Sequence, residues 1–150
     1  MTRSERLRPV ADMKQREQIN SARVLSASIE ELKKQQERLA ELQHYRDEYL
    51  NKYRRMSNEG ASIERIRHYQ DFISRLDQSL VVQEQKVIDT KRQLEEKKVG
   101  WKQARARSDA FDKVVDRYRE EESQQKEQRL QKEVDDQALR NSVNKDDSHH

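Results

Sequence analysis

The residues of this chain most able to hold a metal ion are His44, His68 and the terminal pair His149-His150. None of them stands with a carboxylate or thiolate at ligand spacing, and two imidazoles alone make a poor metal site. They read as surface residues. Cysteine is absent, which removes thiol ligands, nucleophilic thiols and disulfides together and fits a reducing compartment. No serine or threonine is set beside a base, and no glycine-rich turn could cradle a phosphate. Arg46, Lys52, Arg54, Arg55, Arg65 and Arg67 crowd one region, and Glu120–Glu122 another. A nucleic-acid site would need a denser basic stripe with aromatics placed to stack on bases. These charges read as a solvated face, and no catalysis, cofactor, metal or nucleic acid is expected. What remains is apolar and aromatic: Leu42, Tyr45, Tyr49, Phe72 and Leu76.

The elements that position them follow from a seven-residue repeat. One row runs Ile66, Ile73, Leu80, Val87, Leu94, Trp101, Ser108, Val115, and a second runs Tyr69, Leu76, Gln83, Thr90, Lys97, Ala104, Phe111, Tyr118. Steps of three then four residues keep one narrow seam on a long helix, as in a coiled coil. Such a seam encloses no substrate pocket. Charged residues make up 41% of the chain and hydrophobic ones 31%, too polar for a globular core to offset the entropy of ordering. A net charge of +3 and a periodic apolar pattern argue against disorder. One elongated domain is expected. Met1–Arg6 leads into no apolar run, so neither a signal peptide nor direct membrane insertion is expected.

With 2 Gly and 1 Pro, little interrupts a helix. Pro9 suits a first turn, which predicts helix one over about 9–57. The apolar positions of that helix run from Ala22, Leu25, Ile29 and Leu32 to Tyr53 and Met56. Asn58 and Gly60 make a helix C-terminus and Ser62 a cap, so residues 58–62 form the bend. Helix two is expected over about 63–139, ahead of a disordered tail at 141–150. The fold class is therefore all-α: an antiparallel two-helix coiled-coil hairpin with an overhanging C-terminal helix. Folding back at Gly60 brings Gln36 opposite Gln83, a polar pair able to fix register. It also brings Tyr49 to Phe72 and Leu42 to Ser79. Leu42, Tyr45 and Tyr49 form a row rotated away from Leu39, Leu50 and Tyr53. Leu42, Tyr45, Tyr49 and Phe72, with Leu76 beside it, thus gather on one flank, more apolar than a two-stranded seam requires: either a protein-docking patch, or a stretch where the helices pack with a wide seam and bury them all. Beyond Tyr118 the seam stops. The polar run after it has nothing to pack against.

Tyr45-Arg46-Asp47-Glu48-Tyr49 before the bend and His68-Tyr69-Gln70-Asp71-Phe72-Ile73 with Leu76 after it resemble the flagellar export protein FliJ family. The resemblance covers nearly the whole chain. It implies a cytoplasmic component of the flagellar type III export apparatus, recruited to the inner face of the membrane through its partners. Family members resemble the coiled-coil stalk of the ATP synthase gamma subunit. They insert the end bearing both termini into the hexamer of the export ATPase (FliI) and promote its assembly. They contact the cytoplasmic region of the export gate (FlhA) and escort free export chaperones. The family's gate-binding positions fall on Leu42, Tyr45, Tyr49, Phe72 and Leu76. Other readings are the equivalent stalk of a virulence secretion system and a passive parallel homodimer. An intramolecular hairpin predicts a monomer, whereas the parallel dimer predicts doubled mass.

Overall fold

A computed structural model describes residues 1–147. Two helices, α1 (Arg3–Asn58) and α2 (Ile63–Asp147), pack against each other, with no strand among the described residues. Helix α1 begins earlier than the Pro9 start that the sequence suggested, and Pro9 lies inside it. The reason is a capping box. Thr2 Oγ1 accepts from the Glu5 N–H at 3.3 Å while Glu5 Oε2 accepts from the Thr2 N–H at 3.2 Å. Pro9 is exposed, so the backbone acceptor that it leaves without a donor can be met by water.

The turn between the helices is closed by hydrogen bonds from Glu59 N–H to Arg55 O and from Ala61 N–H to Met56 O. Gly60 sits at φ +79° between them, a conformation that a side chain would strain. Ser62 Oγ then accepts from the Arg65 N–H at 3.3 Å and starts α2. At its far end α2 runs through 141–147, where a disordered tail was expected. That stretch holds no Gly or Pro, and Lys145 in the last turn complements the helix dipole. His149-His150 lie outside the described residues.

The chain forms two compact units, Ile19–Gln103 and Met1–Gln18 with Ala104 onward. In the first, Ile66, Tyr69, Ile73, Leu76 and Trp101 are half-buried and Leu80, Val87 and Leu94 buried. The α1 face meeting them repeats every seven residues through Leu25, Leu32 and Leu39, and through Ser21, Ser28, Gln35, Leu42 and Tyr49. Ala22 and Ile29, which are the more apolar, turn outward. The buried amide pair is therefore Gln35–Gln83, not Gln36–Gln83: Gln83 Nε2 donates to Gln35 Oε1 at 2.7 Å and to Gln35 O at 3.0 Å. Three residues after Leu32 and four before Leu39, position 35 faces inward and 36 does not. Lys97 is likewise exposed where the row places it inward.

In the second unit the seam alternates large against small. Ser4, Ala11, Ser108 and Val115 are buried, while Phe111 and Tyr118 are half-buried. Lys14 Nζ lies 5.9 Å from the centre of the Phe111 ring, and Arg3 Cζ 5.7 Å from that of Tyr118. The seam does not stop at Tyr118 but reaches Glu122. Ser4 donates to its carboxylate twice, from Oγ at 2.6 Å and from N–H at 3.1 Å. From Ser123 to Asp147 every residue is exposed.

Candidate functional site

The candidate docking patch lies beside the bend, where α1 and α2 each supply aromatics at helical spacing. Tyr49 from α1 stacks at a tilt on Phe72 from α2, with ring centroids 4.3 Å apart, and lies 5.9 Å from Tyr69. His68 meets the edge of Tyr69 at 6.3 Å, and Lys52 Nζ sits 5.2 Å from the Tyr49 ring centre. Tyr49, His68, Tyr69 and Phe72 together line a surface cavity of about 210 Å³. Aromatic pairs at these separations hold one another in fixed orientation.

The five residues singled out on the sequence do not share one environment. Tyr49 and Phe72 touch. Tyr45 is 52% exposed and makes no ring contact among the described residues. Leu76 is half-buried in the seam, on the row that continues to Leu80 and Gln83. Leu42 is half-buried too and lines a separate, more open groove with Arg75, Ser79 and Val82. Two polar contacts fix the helices beside the patch: Arg46 Nε pairs with Asp77 Oδ1, and Gln70 Nε2 donates to Tyr53 Oη at 2.9 Å. Arg46 occupies an inward position, between Leu39 and Tyr53 in the same row.

No group of three or more His, Cys, Asp or Glu residues among those described is placed to hold a metal. His44 pairs with Glu48 one turn along α1, at 3.0 Å, and that exposed pair was not anticipated. No helix of the described residues is long and apolar enough to cross a membrane. In the unit with both termini, the hydrogen bond from the Ser4 hydroxyl, then that from its backbone, holds the Glu122 carboxyl below the usual carboxylate range. This clasp escaped the sequence reading, although Glu122 continues the seven-residue row of Ser108 and Val115.

The two helices thus leave aromatic side chains around a surface cavity beside the bend, and an exposed helical stretch from Ser123 to Asp147. The sequence pattern of the family described as Flagellar FliJ protein matches residues 3–146, so the chain belongs to that family. It is thus a component of the flagellar type III export apparatus. No curated protein and no solved structure matches the chain.

Proposed function

We propose that this protein is the coiled-coil stalk of the flagellar export machine. It promotes assembly and activity of the export ATPase ring, links that ring to the cytoplasmic region of the export gate, and escorts free export chaperones. It acts as a monomer in the cytoplasm, held at the membrane through these partners, and regulates rather than catalyses. The observation that carries the reading is the Tyr49–Phe72–Tyr69 cluster opening on a surface cavity, flanked by exposed Tyr45. Aromatic side chains that two helices cannot cover between them are the usual anchors of a protein interface. Leu42, Tyr45, Tyr49, Phe72 and Leu76 are assigned to the gate contact.

The first test is the hydrolysis rate of the cognate export ATPase titrated with this protein. Stimulation saturating near one chain per hexamer supports the stalk, and an unchanged rate with folded protein removes it. A second test isolates the docking surface. Phe72→Ala with Leu76→Ala is expected to weaken binding to the gate's cytoplasmic region by about 100-fold or more, as loss of two hot-spot side chains does. Helicity measured by circular dichroism should stay close to that of the parent. A large loss of helicity would show that the pair serves the seam instead.

A further inference from the structure

Gly100 lies deep inside α2, where glycine weakens a helix because it is the residue with most backbone freedom to lose. Its usual justifications are absent. Its φ is not positive, Gly60 being the only described glycine in that region. A Cβ built on it would meet no heavy atom within 4 Å, so no close approach of another segment requires it. The residues before it are equally poor at holding the pair together. Lys97 is exposed at a position where the repeat calls for an apolar knob. Lys98 is half-buried in its place, and its ammonium turns to Glu95 Oε1 at 3.3 Å. Between Leu94 and Trp101, therefore, α2 sends no apolar side chain into the seam. Opposite this stretch α1 faces inward with Ser21 and Ser28 around a single Leu25, while Ile29 is 49% exposed.

A weak helix-former, a missing knob and two serines thus coincide at one level of the Ile19–Gln103 unit. The seam is otherwise continuous there, with Leu80, Val87 and Leu94 buried at successive seven-residue steps. We infer that residues 97–100 form a weak layer at which α2 separates locally from α1 before the rest of this unit does. Opening at that layer gives up no apolar knob of residues 97–100 and raises the exposure of half-buried Trp101. The Tyr49–Phe72 cluster stays packed while it happens. A stretch that yields first under load takes up deformation without disturbing the aromatic end.

Amide hydrogen exchange on the full chain tests this, because exchange reports the free energy of local opening residue by residue. Amides of 97–102 are expected to exchange about tenfold or more faster than those of 84–90, an opening cheaper by about 1.4 kcal/mol. Gly100→Ala is an exposed change with open space around it. It should slow exchange at 97–102 several-fold and leave 84–90 untouched. Adding Lys98→Leu, which puts an apolar knob at the half-buried position, should bring the two stretches level and reduce acrylamide quenching of Trp101, the chain's one tryptophan. Equal protection of 97–102 and 84–90 in the parent chain overturns the inference. So does fast exchange that Gly100→Ala, with unchanged helicity, fails to slow.

Discussion

The two ends of the helix pair repeat the same seven-residue step with opposite results. Near the bend, large side chains meet large ones: Leu42, Tyr49 and Met56 from α1 face Ile66, Tyr69, Ile73 and Leu76 from α2, and every one of them is only half-buried. Near the termini, large meets small, and the best-covered of the described residues is a serine, Ser108 at 2% exposure. The more apolar end is thus the less completely buried. Burial in a two-stranded seam depends on whether facing side chains interlock, not on how hydrophobic each one is. Where they interlock, no surface is left for a partner. Where they do not, apolar surface stays open, and it is there that the docking patch is proposed.

Overpacking the terminal seam should give the largest effect on stability. Ser108→Leu forces three extra carbons into the closest-packed layer and is expected to cost about 1–3 kcal/mol, as overpacking does in a filled core. Thermal unfolding followed by circular dichroism would show this as a lower Tm. Tyr45→Ala, at the bend, should change stability by no more than about 0.5 kcal/mol in the same assay, because the side chain is exposed. A stabilising Ser108→Leu would mean that the terminal seam has room to spare, and the contrast between the ends would fail.

The buried amides rank next. Gln83 is 3% exposed and spends its amide on Gln35, a contact that fixes which residues face each other. Replacing both with Leu exchanges a satisfied polar pair for apolar contact, so about 1 kcal/mol of added stability is expected, since paired replacement of buried polar groups is neutral to stabilising. The loss should appear in specificity. Light scattering at rising concentration should reveal dimers or higher species in the double variant and none in the parent. If the double variant stays monomeric, the register is set elsewhere, for instance by Arg46–Asp77 and Tyr53–Gln70 near the bend.

What the sequence made legible divides along the same line. From Ile66 to Val115 the apolar rows of α2 stand out, and the antiparallel fold follows from one Asn/Gly bend in a chain with almost no other helix breaker. That fold is enough to place Tyr49 on Phe72. The inward face of α1 was harder to see because Ser4, Lys14, Ser21 and Ser28 carry no hydrophobic signal. Ile29 and Ala22 carry one and face solvent. The helix start was missed for a related reason. Pro9 is conspicuous, whereas Thr2 and Glu5 form a capping box only when read together. For the candidate site, the aromatic cluster was visible as surplus. The separation of Leu42 from the cavity of Tyr49 and Phe72 depends on side-chain directions that spacing alone does not give.

A smaller effect tests the terminal end by acid. The hydrogen bonds from Ser4 favour the charged Glu122 carboxylate and lower its pKa in the folded chain. A depressed carboxyl pKa adds stability above its unfolded value, and that contribution is lost as pH falls through the folded value. Acidification below the usual carboxylate range should therefore release Ser4 first, seen as a lower protection factor for its amide, taken against the intrinsic rate at each pH, while the bend-end amides stay protected. Glu122→Gln keeps an acceptor but removes the charge, so this pH dependence should vanish. If the Ser4 protection factor tracks pH equally in Glu122→Gln, another group controls the clasp.

The smallest expected change comes from the largest deletion. Residues 127–147 are all exposed, and Gln131 Nε2 donates to Asp135 Oδ1 at 3.2 Å one turn along the same segment. Leu130 and Val134 project from one side of α2 and Leu139 and Val143 from the other, so no single stripe awaits α1. Removing 127–147 takes away no buried residue and should leave Tm within about 2 °C of the parent, the shift that a surface change of half a kcal/mol produces in a chain this long. Stimulation of the export ATPase by the same truncated chain should be lost if this segment enters the ring. A Tm that falls well beyond that margin would show that the exposed helix supports the seam. Its exposure would then reflect a structural strut, and only the bend end would retain surface to spare for a partner.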